Sequence, residues 1–189
     1  VGVVFGGVSK EHNVSIKSAT TVLSALQSGL NATHFNVLPI YIDLKGRWWP
    51  IDVATKAINK GSALKESELP LPLPSPGFKG LPEKGEQVDV WYPVLHGPNG
   101  EDGSIQEILQ SHNLKFTHSG VEASKNAFDK ELTKKNIKET KVSFLDSLIF
   151  YKKDINKIIF TDFFESKGSF VLKPLASGSS YGVKIFQSL

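Results

Sequence analysis

LHGPNGEDGSIQ, residues 95–106, follows directly on VDVWYPV, residues 88–94, and the junction between them decides the fold. The first piece is apolar at Val88, Val90, Trp91 and Val94, the pattern of a buried strand. It stops at His96. Three glycines (Gly97, Gly100, Gly103), the adjacent acids Glu101 and Asp102, and a helix-like start at Ser104-Ile105-Gln106 come next. Glycine lets the backbone turn tightly and approach a ligand closely. Open α/β sheets hold ligands where the carboxyl end of a strand meets a helix N-terminus, and such an N-terminus favours anions. The stretch reads either as a site with His96 at its lip or as a solvated connector rich in turn residues.

Working outward, the same strand–turn–helix grammar opens the chain. VGVVF (1–5) is a buried strand. The turn Gly6-Gly7-Val8-Ser9-Lys10-Glu11-His12 follows, then a helix from Val14 with Ile16, Ala19, Val22, Leu23 and Leu26 at helical spacing and Gly29 to stop it. GGVSKEH lacks the third glycine of the dinucleotide fingerprint. Glu11, just ahead of the helix, can face a ligand amine, or as a plain loop acid it favours the helix dipole by ~0.3–1 kcal/mol.

FNVLPIYI (35–42) is a second strand, and residues 46–50 are a turn with a short edge strand. Residues 61–87, rich in proline, glycine and charge, form an extended surface excursion, because X-Pro pairs disfavour helix. Ile105, Ile108 and Leu109 share one helix face, LKFT (114–117) is a fourth short strand, and residues 121–135 are one helix capped by Ser119 or Ser124. Strands alternating with helices give a doubly wound parallel α/β sheet.

That alternation ends beyond residue 141, in the runs 142–151, 155–164 and 169–172. FVLKP (170–174) and VKIF (183–186) bracket LASGSSYG (175–182), a Gly/Ser loop with Lys173 at its entry. Its amides, with the hydroxyls of Ser179 and Ser180, suit a phosphate, and Lys173 adds a point charge. A plain hairpin loop fits the composition equally well. The loop is not a Walker A motif, which needs GxxxxGK[ST] opening a helix.

Composition narrows the function classes. The chain has 189 residues, 40% of them hydrophobic, and a net charge of +3 from 22 basic and 19 acidic residues. No dense basic tract with interleaved aromatics points to nucleic acid. Zero cysteines exclude disulfides, cysteine metal sites and thiol nucleophiles. No apolar run reaches the ~20 residues that span a bilayer, and no signal peptide is visible, so a cytoplasmic protein without membrane or nucleic-acid partners is expected. Both ends of the chain read as cut, the start inside a strand-like run and the end just after another.

Four segments in order resemble the D-alanine–D-alanine ligases, ATP-grasp enzymes of peptidoglycan precursor synthesis. They are FGGVSKEHNVSIKSA (5–19), HGPNGEDGSIQ (96–106), SGVEASKNAFDKELTK (119–134) and FVLKPLASGSSYGVKI (170–185). The EH-x-VS-x-x-SA form and the long excursion are more similar to the longer branch that includes the D-alanine–D-lactate ligases. Phe128 stands where the family usually has Met, and His118 where it usually has Gly.

The resemblance implies an N-terminal α/β substrate-binding domain over 1–128, of the kind that precedes an ATP-grasp module, and the beginning of an α+β central ATP-binding domain over 129–189. It implies that Glu11 binds the ammonium of the first D-alanine, that Ser179 helps orient that acid, that His96 sits beside the substrate, and that Ser15 and Ser180 lie on the substrate side. Lys130, Lys173 and Ser180 would contact ATP. Catalysis would assign Glu11 and Ser179, and the whole enzyme would work as a homodimer. Mg²⁺ is expected as cofactor, with its ligands outside this chain, because no Asp or Glu follows Lys173 and the ion needs oxygen ligands. The chain alone is then expected to be inactive. Rival readings are a non-catalytic α/β module that binds a small ligand, a D-alanine–D-lactate type ligase, and a carboxylase-like ATP-grasp enzyme.

Overall fold

Gly2–Gly6 (GVVFG) forms β1, buried along its whole length, and the other strands of the main sheet are placed by it. The computed structural model describes residues 1–74, 77, 78, 81, 82, 85–154 and 157–187. β1 pairs in parallel with β2 (Leu38–Ile42), Gly2 opposite Leu38, and on its other edge with β4 (Trp91–Pro93), Gly2 opposite Trp91. A two-residue strand, β3 (Trp48–Trp49), runs antiparallel to β2 and closes that edge, giving the order β3-β2-β1-β4.

Side chains alternate across a strand, so β1 feeds two cores. Val3 and Phe5 pack with Ile16, Ala19 and Leu23 of α1 (His12–Leu26) and with Val53, Ala54 and Ala57 of α3 (Ile51–Lys60). Val4 packs on the opposite face with Ile40, Ile42, Trp91, Leu95, and Ile105 and Leu109 of α4 (Ser104–Ser111). A strand covered on both faces needs a continuous apolar run rather than an alternating one, which is what residues 1–5 supply. The sheet is therefore doubly wound and parallel, as expected, with one antiparallel edge. A short helix, α2 (Asn31–His34), links α1 to β2. Among the described residues no helix is long and apolar enough to cross a membrane.

Two local expectations need correction, and one element has no counterpart in the sequence analysis. Residues 51–60 form the helix α3, which the sequence reading passed over. Pro50 precedes it, and Gly61 ends it in the left-handed conformation (φ 69°), its N–H donating to the Ala57 and Ile58 carbonyls. The strand expected at 114–117 is reduced to a single parallel bridge between Trp91 and Phe116. The helix expected over 121–135 is two, α5 (Val121–Phe128) and α6 (Lys130–Ile137). Asp129 breaks it: its backbone is extended and its carboxylate accepts from the N–H groups of Glu131 and Leu132 at 2.7 and 3.1 Å. Ser124 lies inside α5 and donates to the Ser119 carbonyl instead. Of the excursion at 61–87, residues 75, 76, 79, 80, 83 and 84 lie outside the described residues, as do 155 and 156 of the run at 155–164.

The chain divides into two compact units, residues 1–125 and 126–189. In the second, α7 (Lys157–Lys167) covers an antiparallel hairpin of β5 (Phe170–Leu172) and β6 (Lys184–Phe186). Phe170 and Phe186 stack at 4.8 Å between centroids, and Phe160 and Phe163 close on them from α7. The hairpin confirms two β runs around the Gly/Ser loop.

The β2–β3 turn is held by a buried ion pair. Asp43, 2% exposed, accepts from Lys45 and Arg47 N–H on one oxygen, and from Arg47 Nε (2.6 Å) and Trp49 Nε1 (2.9 Å) on the other. Arg47, 4% exposed, also reaches Glu66 at 3.0 Å. Removing one partner of a buried pair strands the other. Asp43→Ala should therefore cost about 3 kcal/mol of unfolding free energy, read from urea denaturation; a loss under about 1 kcal/mol would place the weight of this turn elsewhere.

Candidate functional site

β2 lies on one side of β1 and β4 on the other, so the chain reverses direction across the sheet at β1. Ligand crevices open at such a switch point, beyond the carboxyl ends of the strands. Two loops leave the sheet there: residues 7–11 after β1 and residues 94–103 after β4.

Two serines stitch these loops together. Ser15 is fully buried; its Oγ accepts from Gly6 N–H at 2.8 Å and donates to the Val94 carbonyl at 2.6 Å. Ser9 Oγ donates to the His96 carbonyl at 2.6 Å and accepts from Glu11 N–H at 3.1 Å. Ser15 was expected on the substrate side. Its hydroxyl bonds to both strand ends within the protein and helps to hold them together.

The two loops bring Glu11 and His96 to one lip. A Cβ built on Gly97 would lie 2.6 Å from Glu11 Oε2, so the carboxylate rests over the Gly97 backbone, whose positive φ of 70° itself favours glycine. His96 shares a hydrogen bond between Nε2 and Ser18 Oγ at 3.0 Å, while Nδ1 stands 3.9 Å from Glu101 Oε1. The Glu101 carboxylate also accepts from Gly97 N–H at 3.0 Å. Asp102 is used by the loop itself: one oxygen accepts from Asn99 N–H and the other from Ser104 N–H, both at 3.0 Å. That carboxylate takes up the α4 N-terminus that the sequence reading offered to an outside anion.

Sequence reasoning missed Ser9, Ser18 and His12. A signal for Ser18 was present: positions 11, 15 and 18 are spaced four and three apart, so they share one face of α1. His12 is buried beneath the glycine turn, with Nδ1 2.5 Å from the Gly7 carbonyl and Nε2 2.9 Å from the Tyr41 hydroxyl. Burial pushes its pKa below the usual histidine range, and burial pushes the Tyr41 phenol up to about 12.

In the second unit, Lys130 Nζ donates to the carbonyls of Leu175 at 3.1 Å and Ser177 at 2.9 Å. Lys130 is thereby clamped to the Gly/Ser loop that follows Lys173. Burial, then repulsion from Lys173, lowers the Lys130 pKa. Two of the expected ATP lysines therefore stand close enough to repel each other, an arrangement that an anion between them would relieve. Ser179 and Ser180 sit exposed on the same loop in successive left-handed conformations (φ 45° and 58°), a strained geometry that functional loops often carry.

The first unit is thus a doubly wound α/β domain with an acid and a histidine at its switch point. The family model described as D-ala D-ala ligase N-terminus matches residues 1–119, and the chain belongs to that family. A D-alanine–D-alanine ligase of Synechococcus sp. (strain CC9311) is 52% identical over 130 residues, 69% of this chain and 37% of that protein. One from Synechococcus sp. (strain CC9605) is 39% identical over the whole chain and 55% of its own length. The chain thus spans between about a third and just over half of these relatives. The solved D-alanine–D-alanine ligase of Coxiella burnetii superposes with a TM-score of 0.75 at 26% identity, covering 99% of this chain and 56% of that one.

The His12 environment makes stability depend on pH. His12 is held neutral in the fold, so below about pH 6.5 the unfolded chain binds the extra proton and stability falls. His118, also lowered by burial and set edge-on against Tyr92, acts in the same sense. The midpoint of urea denaturation should therefore drop between pH 7.5 and 5, and by less in His12→Phe. A midpoint independent of pH across that window would contradict the neutral assignment.

Proposed function

We propose that this chain is the amino-acid-binding domain, residues 1–128, and the start of the ATP-binding domain, residues 129–189, of an ATP-dependent D-alanine–D-alanine ligase of peptidoglycan precursor synthesis. In this reading ATP phosphorylates the carboxylate of one D-alanine. The amine of a second D-alanine attacks the acyl phosphate carbon, the new C–N bond forms as the C–O bond to phosphate breaks, and inorganic phosphate leaves. The full-length enzyme is a cytoplasmic homodimer.

Glu11 takes the ammonium of the first D-alanine, and His96 lies beside that substrate. The observation that carries the assignment is the Glu11 carboxylate lying over Gly97 at the switch point, next to His96. An anionic oxygen held by backbone geometry matches a primary ammonium. Ser15 then serves this site by positioning, through its bonds to Gly6 and Val94.

Lys130 and Lys173 attract the phosphates of ATP, with Ser179 and Ser180 on the same loop. Charge develops on phosphate oxygens during transfer, and fixed cations and donors stabilise it there. Mg²⁺ would supply positive charge that offsets part of the charge developing on the phosphates. Among the described residues no group of three His, Asp or Glu side chains is placed to hold a metal, so no residue of this chain is assigned to the ion.

Glu11→Gln in the full-length ligase carrying this sequence should raise the KM for the first D-alanine at least about tenfold, the scale of a lost charge-assisted hydrogen bond. The KM for ATP should stay within about twofold. Initial rates of phosphate release over both substrate ranges measure this. An unchanged D-alanine KM would remove Glu11 from the site.

A further inference from the structure

The turn that carries Glu11 is satisfied group by group from different parts of the fold. Gly6 and Gly7 both have positive φ, 95° and 89°. A Cβ on Gly6 would meet the Ile42 carbonyl at 2.2 Å, and one on Gly7 would meet Leu95 at 3.0 Å, so the turn has no room to relax by substitution. Gly6 N–H is taken by Ser15 and Gly7 N–H by the Ile42 carbonyl at 2.8 Å. The Gly7 carbonyl is left to His12.

A carbonyl only accepts, so the His12 proton sits on Nδ1. In the neutral ring Nε2 is then an acceptor, and the Tyr41 hydroxyl donates to it. The Tyr41 oxygen in turn accepts from Leu64 N–H at 3.3 Å. The result is one directed chain from Leu64 through Tyr41 and His12 to Gly7, and such chains polarise each member in the same sense. The next residue, Asn13, ties the same segment, its Oδ1 accepting from Ala63 N–H at 2.9 Å. The charged groups acting on this relay are Asp43, at the end of β2, on both His12 and Tyr41, and Glu68, from the turn after α3, on Tyr41. Glu11 itself adjoins His12 in sequence and begins α1 as its N-cap.

We propose that His12 is a positioning residue for the first-substrate site: as the neutral Nδ1–H ring it fixes the Gly7 carbonyl, and with it the turn that sets Glu11 over Gly97. This rests on the reading of Glu11 as the ammonium acceptor. Neither His12 nor Tyr41 touches substrate in this role. Asparagine at position 12 can keep a donor where Nδ1 stands, whereas phenylalanine keeps the ring and loses the donor.

The test uses the full-length ligase carrying this sequence. His12→Phe should raise the D-alanine KM about tenfold, the upper scale for one hydrogen bond, with the ATP KM within about twofold, while His12→Asn stays within about threefold of the parent. Equal effects of the two variants, or a parallel rise in the ATP KM, would overturn the proposal. Tyr41→Phe preserves the packed ring and is the second variant should the His12 changes prevent folding. It should raise the same KM about threefold, and no change would count against the relay. Nitrogen-15 NMR of the His12 ring at pH 7 should show a protonated Nδ1 and a bare Nε2; an Nε2–H ring or an imidazolium overturns the proposal outright. If Glu11→Gln leaves the D-alanine KM unchanged, the ammonium reading fails, and the ring tautomer still decides whether His12 holds Gly7.

Discussion

The Ser15 hydroxyl, fully buried, receives a hydrogen bond from the end of β1 and gives one to the segment leaving β4. Parallel neighbours in a doubly wound sheet diverge at their carboxyl ends, because the loops depart to opposite faces. A single hydroxyl with one donor and free lone pairs can bridge that divergence; alanine there would leave both backbone groups unpaired. With the β1–β4 ladder, whose Val94 N–H donates to the Val4 carbonyl at 2.7 Å, the Ser15 hydroxyl sets the spacing at which Ser9 reaches the His96 carbonyl, Glu11 rests on Gly97 and Ser18 meets the His96 ring.

Charge is divided between the two units in a way that suits two different ligands. The first unit presents a carboxylate beside a histidine, set in backbone whose own polar groups are mostly satisfied. The second brings Lys130 and Lys173 together at a loop with strained serines. An ammonium fits the first set and a phosphate the second. Neither feature decides a function alone, since loop acids and paired lysines are common.

Much of this was legible in the sequence. β1 reads directly, because burial on both faces demands an unbroken apolar run, and the junction at residues 94–97 reads because an apolar strand stops there at a histidine and a glycine. The edge strand at Trp48–Trp49 reads from its turn. What escaped depends on tertiary context. α3 has only ten residues, with charged residues between its apolar positions, so its Pro50 and Gly61 boundaries were a stronger signal than its interior. The single helix expected over 121–135 ignored Asp129, whose carboxylate prefers to cap the following turn. The bonds of Ser15 to Gly6 and Val94 were not legible either, because sequence gives a helix face but not the strand ends above it. His12 was invisible for the same reason: its partners, Gly7, Tyr41 and Leu64, meet only once β2 is laid against β1.

If the switch point of the first unit is an amino-acid site, the chain should bind D-alanine there. The most direct measurement is a titration of the nitrogen-15-labelled chain with D-alanine, following backbone amide shifts. Saturable shifts concentrated at residues 7–11 and 96–97, with the α3 and α7 amides unmoved, are expected. Shifts scattered over the surface, or none up to the solubility of the amino acid, would contradict this reading.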